Sequence, residues 1–290
     1  MRLQNFAKSR KAGWLLLLIL FSGNTMRATA DAANAWKTLA PGIDLRWHAA
    51  SEPSAVGDSR IAVVKIDPAL WELQLAGRYS STQTVGKTAR EWAGECGFAV
   101  AINAGMFGQD YHTHLGYMEF RGQVNSGTIS HYQSVAAFDP HGEGSTPPFR
   151  IFDLDASGVS IEALRREYAS LLQNLRLIKK PGLNRWSRQD RKWSEAALGE
   201  DRDGRILFIF SRSPFSMHDL NEELLAAKIG LTALQHLEGG PEAQLYIKIG
   251  TFELEMFGSF ETSFNENDTN PIAWPIPNVL GVKRRTENIQ

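Results

Sequence analysis

The chain has 290 residues, 43% of them hydrophobic and 22% charged, enough apolar material for a full core and incompatible with a disordered or collagen-like chain. Its formal net charge is −1; residues 1–30 carry five of the 31 Lys+Arg and none of the 32 Asp+Glu, so the remainder stands at −6, which excludes a nucleic-acid footprint. One large domain is the simplest partition.

The N-terminus sets Arg2, Lys8, Arg10 and Lys11 before "WLLLLILF" and then "ATA" at 28–30, the order of a secretory signal. Cleavage is expected after Ala30, leaving a domain over 31–290 in the periplasm or outside the cell, with no stable membrane span, because the apolar run is short for a bilayer. Cys96 is the only cysteine, so no intramolecular disulfide is available, and it reads as a small buried residue on a helix.

Two extended runs, "RIAVVKI" and "WELQLAG", flank Asp67-Pro68-Ala69-Leu70 and read as a hairpin. Val85, Ala89, Trp92 and Cys96 have helical spacing, with Gly97 as a stop before the strand "FAVAIN". Arg121-Gly122 and Asp203-Gly204 each sit between alternating runs, predicting two antiparallel hairpins. Ser160 is placed to cap a helix whose stripe is Ile161, Leu164, Tyr168, Leu171 and Leu172. Ser216 and Asp219 fit the start of another, with Met217, Leu220, Leu224 and Leu225 as its apolar face and Gly230 as its end. Residues 139–148 are a surface loop by composition. Strands outnumber helices, so the fold class is α+β, a single domain with a large mixed or antiparallel sheet and a few covering helices.

Three stretches can carry chemistry. In "AINAGMFGQDYHTHLG" the strand ends on Asn103 beside a Gly105 turn, where an amide can grip a ligand or simply bond its own backbone. His112 and His114 share a face in a strand, but with no third ligand in view they read as a solvated loop rather than a metal pair. The second stretch, 174–199, crowds Arg176, Lys179, Lys180, Arg185, Arg188, Arg191 and Lys192 into an otherwise acidic chain, either to receive an anion or as a solvated face. Alternation in "WSEAALG" lets Ser194 or Glu195 face a cleft, but not both.

The third stretch is "LQHLEGGPEAQLYI", two strand-like runs around Gly239-Gly240, with Glu238 and Glu242 bracketing the bend. Two glycines let backbone approach a ligand closely, and paired carboxylates can share acid, base or nucleophile roles; the plain alternative is a loop with two solvated acids. Acidic "FNENDTN" at 264–270 offers oxygen ligands to a divalent cation such as Ca²⁺, without the ordered spacing of a calcium loop.

These stretches together resemble the phosphodiester glycosidase family, whose elements Asn-Gly-Gly-x-Phe, Gly-Pro-x-Leu, Arg-x-Ala-x-Gly and Leu-Asp-Gly-Gly-Gly-Ser correspond in order to "NAGMF", "NLRLI", "SEAALG" and "LEGGPEA". Glu238 stands for the Asp, Pro241-Glu242 for Gly-Ser, Asn174-Leu175 for Gly-Pro and Ser194 for the Arg, as in a divergent bacterial exported branch. The resemblance implies a hydrolase acting on a sugar-1-phosphodiester or related envelope glycan linkage, with a carbohydrate or sugar-phosphate as its partner. It implies Glu238 as base or nucleophile with Glu242 assisting, and Arg176 on the phosphate. Asn103 and Gly105 would position sugar hydroxyls, with Phe107, Ser194, Gly239 and Gly240 completing the substrate site. The altered positions equally suit a non-catalytic carbohydrate or polyanion binder that retains the fold.

Overall fold

The computed structural model describes residues 35–77, 86–142 and 144–286. The signal-like segment, its cleavage point and Val85 lie outside the described residues. Chain order is β1 (Lys37–Ala40), β2 (Ile43–Ala49), β3 (Arg60–Ile66), β4 (Trp71–Gly77), α1 (Ala89–Cys96), β5 (Val100–Asn103), β6 (Met118–Phe120), β7 (Gln123–Ser126), β8 (Ser134–Pro140) and β9 (Phe149–Asp153). It continues α2 (Ile161–Leu164), β10 (Tyr168–Asn174), β11 (Arg176–Lys179), β12 (Leu183–Asn184), β13 (Trp193–Asp201), β14 (Ile206–Phe215), α3 (Met217–Ala226), β15 (Leu231–Gly239), a 3-10 turn (Gly240–Glu242), β16 (Gln244–Ile249), β17 (Phe252–Phe257) and β18 (Asn278–Arg284).

Among the described residues the strands form an eight-stranded sheet, β1-β2-β3-β14-β13-β15-β11-β12, and two five-stranded sheets, β7-β6-β10-β8-β9 and β17-β16-β5-β18-β4. Neighbours in all three run antiparallel, and the expected α+β class with covering helices holds. The inner faces of the three sheets meet in one core, to which β3 gives Ala62, Val64 and Ile66, β10 gives Leu172 and β18 gives Leu280 and Val282. Each outer face is covered by a helix: Met217, Leu220 and Leu224 of α3 pack on Ile61, Val63, Leu207 and Ile209, Trp92 of α1 on Ala101 and Val279, and Ile161 and Leu164 of α2 on Val135 and Leu171. Sheets buried on both faces explain why "RIAVVKI" and "ILFIF" are unbroken apolar runs rather than alternating ones.

The helix ends follow local chemistry. Thr88 and Glu91 form a reciprocal capping box on α1, and Gly97 ends it at φ +67°. Ser216 accepts the Asp219 amide at the start of α3, but the helix stops at Ala226, before Gly230. Both predicted tight hairpins form, β6–β7 about Arg121-Gly122 and β13–β14 about Asp203-Gly204, the latter with Gly204 at φ +75°.

Two local expectations are corrected. β3 and β4 do not pair: β3 lies between β2 and β14, whereas β4 pairs with β18, so Asp67-Pro68 carries the chain from one sheet to another. The helix predicted from Ile161 ends after one turn at Leu164, and Tyr168, Leu171 and Leu172 belong to β10. That strand is central and buried on both faces, so its apolar residues show no period of two, and tertiary pairing overrides the helical spacing. β15 and β16 also belong to different sheets, so "EGGPE" is a crossing between sheets.

Candidate active site

The outer face of the eight-stranded sheet is apolar under α3 and turns polar toward one end. On β13 the row Ala197, Glu195, Trp193 leaves the apolar layer, and on β15 the row Leu234, His236, Glu238 does the same. Ala197 pairs with His236 and Ala196 with Glu238, which makes Leu237 the extra residue of a bulge; its side chain drops into the inner core. The bulge shifts the end of β15 by one residue and ends pairing with Glu195 opposite Gly239.

These rows open into a cleft of about 640 Å³. Phe107 and Tyr111 form one wall, on the loop after β5, with ring centroids 5.3 Å apart. Trp186 and Trp193 form another, and Glu238, Glu242, Glu261, His236 and Arg191 supply the charges. Flat rings beside acids form a surface suited to a sugar, whose C–H faces stack while its hydroxyls find polar groups.

Glu238 is half-buried, and desolvation pushes its carboxyl up to about 8 against the opposing influence of His236 and of the Gly239 amide, which it accepts at 3.0 Å. Glu242 is also raised by burial, with Glu261 adding to the effect. Behind them His236 is buried, its Nδ1 2.6 Å from Glu195 Oε1, while Glu195 Oε2 accepts the Trp193 indole N–H at 2.7 Å. Burial works to lower the His236 pKa, but the charge and hydrogen bond of Glu195 outweigh it, with Glu238 and Glu261 contributing, and the net direction is up.

Glu238, Glu242, Gly239 and Phe107 line the cleft, whereas the other predicted residues serve it from outside or not at all. Asn103 is buried; its Nδ2 donates to the Glu242 carbonyl at 2.9 Å and its Oδ1 accepts the Gln244 amide at 2.6 Å, so it grips the crossing that carries Glu242 and not a ligand. Gly105 is packed against protein: a Cβ there would lie 2.4 Å from both His114 Cε1 and Asn174 Oδ1. Arg176 is turned away from the cleft and committed to Asp153 at 3.1 Å and Asp155 at 2.8 Å. Ser194 is fully buried, its hydroxyl donating to the Arg212 carbonyl and accepting the Ser259 and Phe260 amides, which pins the Glu261 loop to β13. Of the pair on alternate faces, neither lines the cleft; Glu195 lies on the same face as His236 and is bonded behind it.

The double glycine has a different purpose from close approach to a ligand. A Cβ on Gly239 would meet Trp193 Cδ1 at 2.8 Å, and one on Gly240, which sits at φ +64°, would meet Glu261 Oε2 at 2.7 Å. The protein's own indole and carboxylate occupy the space that the glycines leave.

His114 is not solvated: it is buried, its Nε2 2.7 Å from the Gln173 carbonyl, and burial lowers its pKa to about 4. In the acidic tract, Asp268 pairs with Arg212, Glu266 accepts the Ser263 amide at 2.8 Å and Asn267 accepts the Thr269 amide at 3.0 Å, so these oxygens serve the loop itself. Sequence reasoning missed His236, Glu261 and the Trp186/Trp193 wall. His236 was accessible, two residues before Glu238 on the same strand face; Glu261 was not, because its place depends on the Ser194 staple 67 positions earlier in the chain.

The sequence profile of the phosphodiester glycosidase family matches residues 97–283. Among solved structures, the catalytic domain of zebrafish N-acetylglucosamine-1-phosphodiester alpha-N-acetylglucosaminidase, auto-inhibited by its pro-peptide, superposes with a TM-score of 0.60 at 14% identity, covering 87% of each chain. A hypothetical protein from Synechocystis gives a TM-score of 0.56 at 16% identity over 84% of this chain and 62% of its own. No curated protein sequence matches the chain. The structural likenesses show the shared fold, and the profile, which spans the strands and loops that build the cleft, makes this chain a member of the phosphodiester glycosidase family.

Proposed function

We propose that the chain is an exported hydrolase that cleaves a sugar-1-phosphodiester or a related envelope glycan linkage in the cleft at the end of β13 and β15. One observation carries the reading: a Glu238 carboxyl held up to about 8 by burial, in a cleft walled by aromatic rings. The charged and apolar order of residues 1–30 supports export.

A carboxyl that keeps its proton at neutral pH is an acid before it is a base, which revises the role first expected for Glu238. In this reading water adds to the anomeric carbon and gives its proton to Glu242, the bond from that carbon to the phosphoryl oxygen breaks, and Glu238 gives its proton to the departing phosphate monoester. That leaving group is already good, its second pKa being about 6, so Glu238 is asked for a modest share of the rate. Phe107, Tyr111 and Trp193 hold the sugar, and Asn103 acts indirectly by fixing Glu242.

Incubating the mature protein with a panel of sugar-1-phosphodiesters and measuring free sugar tests this. Release should occur with at least one member, and kcat/KM should fall as pH rises past about 8, where Glu238 loses its proton. Binding of panel members without release, by wild type and Glu238→Gln alike, would instead establish a binding protein on a hydrolase fold.

A further inference from the structure

The cleft presents three carboxyl groups, Glu238, Glu242 and Glu261, to a substrate that the foregoing reading makes anionic. Among the described residues lining it, only His236 and Arg191 can carry positive charge. The cation expected to hold the phosphate, Arg176, is neutralised elsewhere by Asp153 and Asp155.

We propose that His236, clamped by Glu195, is the group that receives the anion, offering its Nε2–H to a phosphoryl oxygen, with Arg191 as a second cation at the lip. The inference rests on the phosphodiester reading of the cleft. Both oxygens of Glu195 are occupied, by His236 Nδ1 and by the Trp193 indole, so the carboxylate fixes the ring and its Nδ1 proton. Nε2 then has no protein partner among the described residues, and it is not sealed from the cleft that His236 lines.

The acidic groups that act on the ring are Glu195 on β13, Glu238 on β15 and Glu261 on the loop after β17, and Arg191 shares the cleft lining. When ionised, each favours the imidazolium, Glu195 first; Glu238 adds its charge only once it has lost its proton, above about pH 8. A second buried pair in the same protein shows what a purely structural arrangement looks like. His48 Nε2 lies 3.3 Å from Glu223, whose oxygens also accept the amides of Ser51 and Glu52, and the other His48 nitrogen is sealed in protein with no partner. His48 has nothing to offer a ligand, whereas His236 presents its free nitrogen to a cleft.

The test uses sulfate, whose charge is constant across the working range, and follows the His236 ring by proton–carbon NMR in the mature protein. Saturable shifts of that ring are expected, with affinity falling as pH rises through its titration. His236→Gln should weaken sulfate binding at least about tenfold, as loss of a charge-assisted hydrogen bond does. Glu195→Gln should move the ring's titration to lower pH and weaken binding at neutral pH, and unfolding curves check that each variant folds. Sulfate binding that is absent, or unchanged in folded His236→Gln, or dependent on Arg191 alone, would overturn the proposal. The two readings separate cleanly: hydrolysis with unaltered KM in His236→Gln overturns this inference and leaves the glycosidase standing, and His236-dependent sulfate binding without hydrolysis of any phosphodiester does the reverse.

Discussion

Two carboxylates near opposite ends of the same pair of strands are treated in opposite ways. Glu200, on β13, is 1% exposed and fully answered: Arg150 and Lys180 donate to it at 3.0 and 2.6 Å, and the Ile151 amide at 2.6 Å. Among the described residues Glu238, on β15, has no cation bonded to it and accepts only the amide of the next residue. A buried charge that is paired and hydrogen-bonded holds elements together, here β13, β9 and the turn after β11; one left unpaired shifts its proton equilibrium and becomes available for chemistry. The contrast separates a carboxylate that serves stability from the one proposed above as the acid, without reference to sequence motifs.

The widest separation between the two should come from turnover. Glu238→Gln is expected to lose about 10²-fold in kcat on whichever sugar phosphodiester is cleaved, the low end for general acid catalysis because the leaving phosphate is already good, with a native circular dichroism spectrum. Glu200→Gln should keep its activity per folded molecule and lose about 1–3 kcal/mol in urea unfolding, since Arg150 and Lys180 are part-exposed and water can take up their charge. Equal effects of the two variants on activity would erase the distinction.

Next in size is Gly240→Ala, which forces a side chain into the left-handed region and against Glu261; a cost of about 1–3 kcal/mol in thermal or urea unfolding is expected, together with reduced activity.

The smallest effect concerns pH. Because the Glu238 pKa is raised in the folded state, from an ordinary 4.5 to about 8, its contribution to stability is complete in acid and declines as pH climbs through that interval. Wild-type unfolding free energy measured at pH 6 and pH 9 should therefore drop more than that of Glu238→Gln, by about 1–2 kcal/mol once the solvent that reaches an open cleft is discounted. A larger drop in the variant would mean that Glu238 is ionised in the folded protein.

What the sequence made legible was whatever local chemistry decides. The spacing of Ala89, Trp92 and Cys96 with Gly97 as a stop announces its helix, and Arg121-Gly122 and Asp203-Gly204 announce their turns, because helical spacing and positive φ angles involve neighbours only; the Thr88 cap, equally local, went unread. Sheet membership was not legible, as β3–β4 and β15–β16 show: a strand's partners lie far along the chain, and a run buried on both faces carries no alternation to reveal them. The same division runs through the cleft. Glu238, Glu242 and Phe107 were found from their own stretches, while Arg176 was misread because its acidic partners, Asp153 and Asp155, arrive from another strand and loop.

The space left by Gly239 and Gly240 has an implication for drift in this lineage. Since the Trp193 ring fills the volume above one and Glu261 the volume above the other, while Gly258 crosses so near the Gly240 carbonyl that a methyl there would overlap it, these positions cannot vary independently. Related chains in which residue 239 has gained a side chain should have traded the indole at 193 for something slimmer, and with it the indole N–H that reaches Glu195. In such chains bulk at one site would have to be matched by loss at the other.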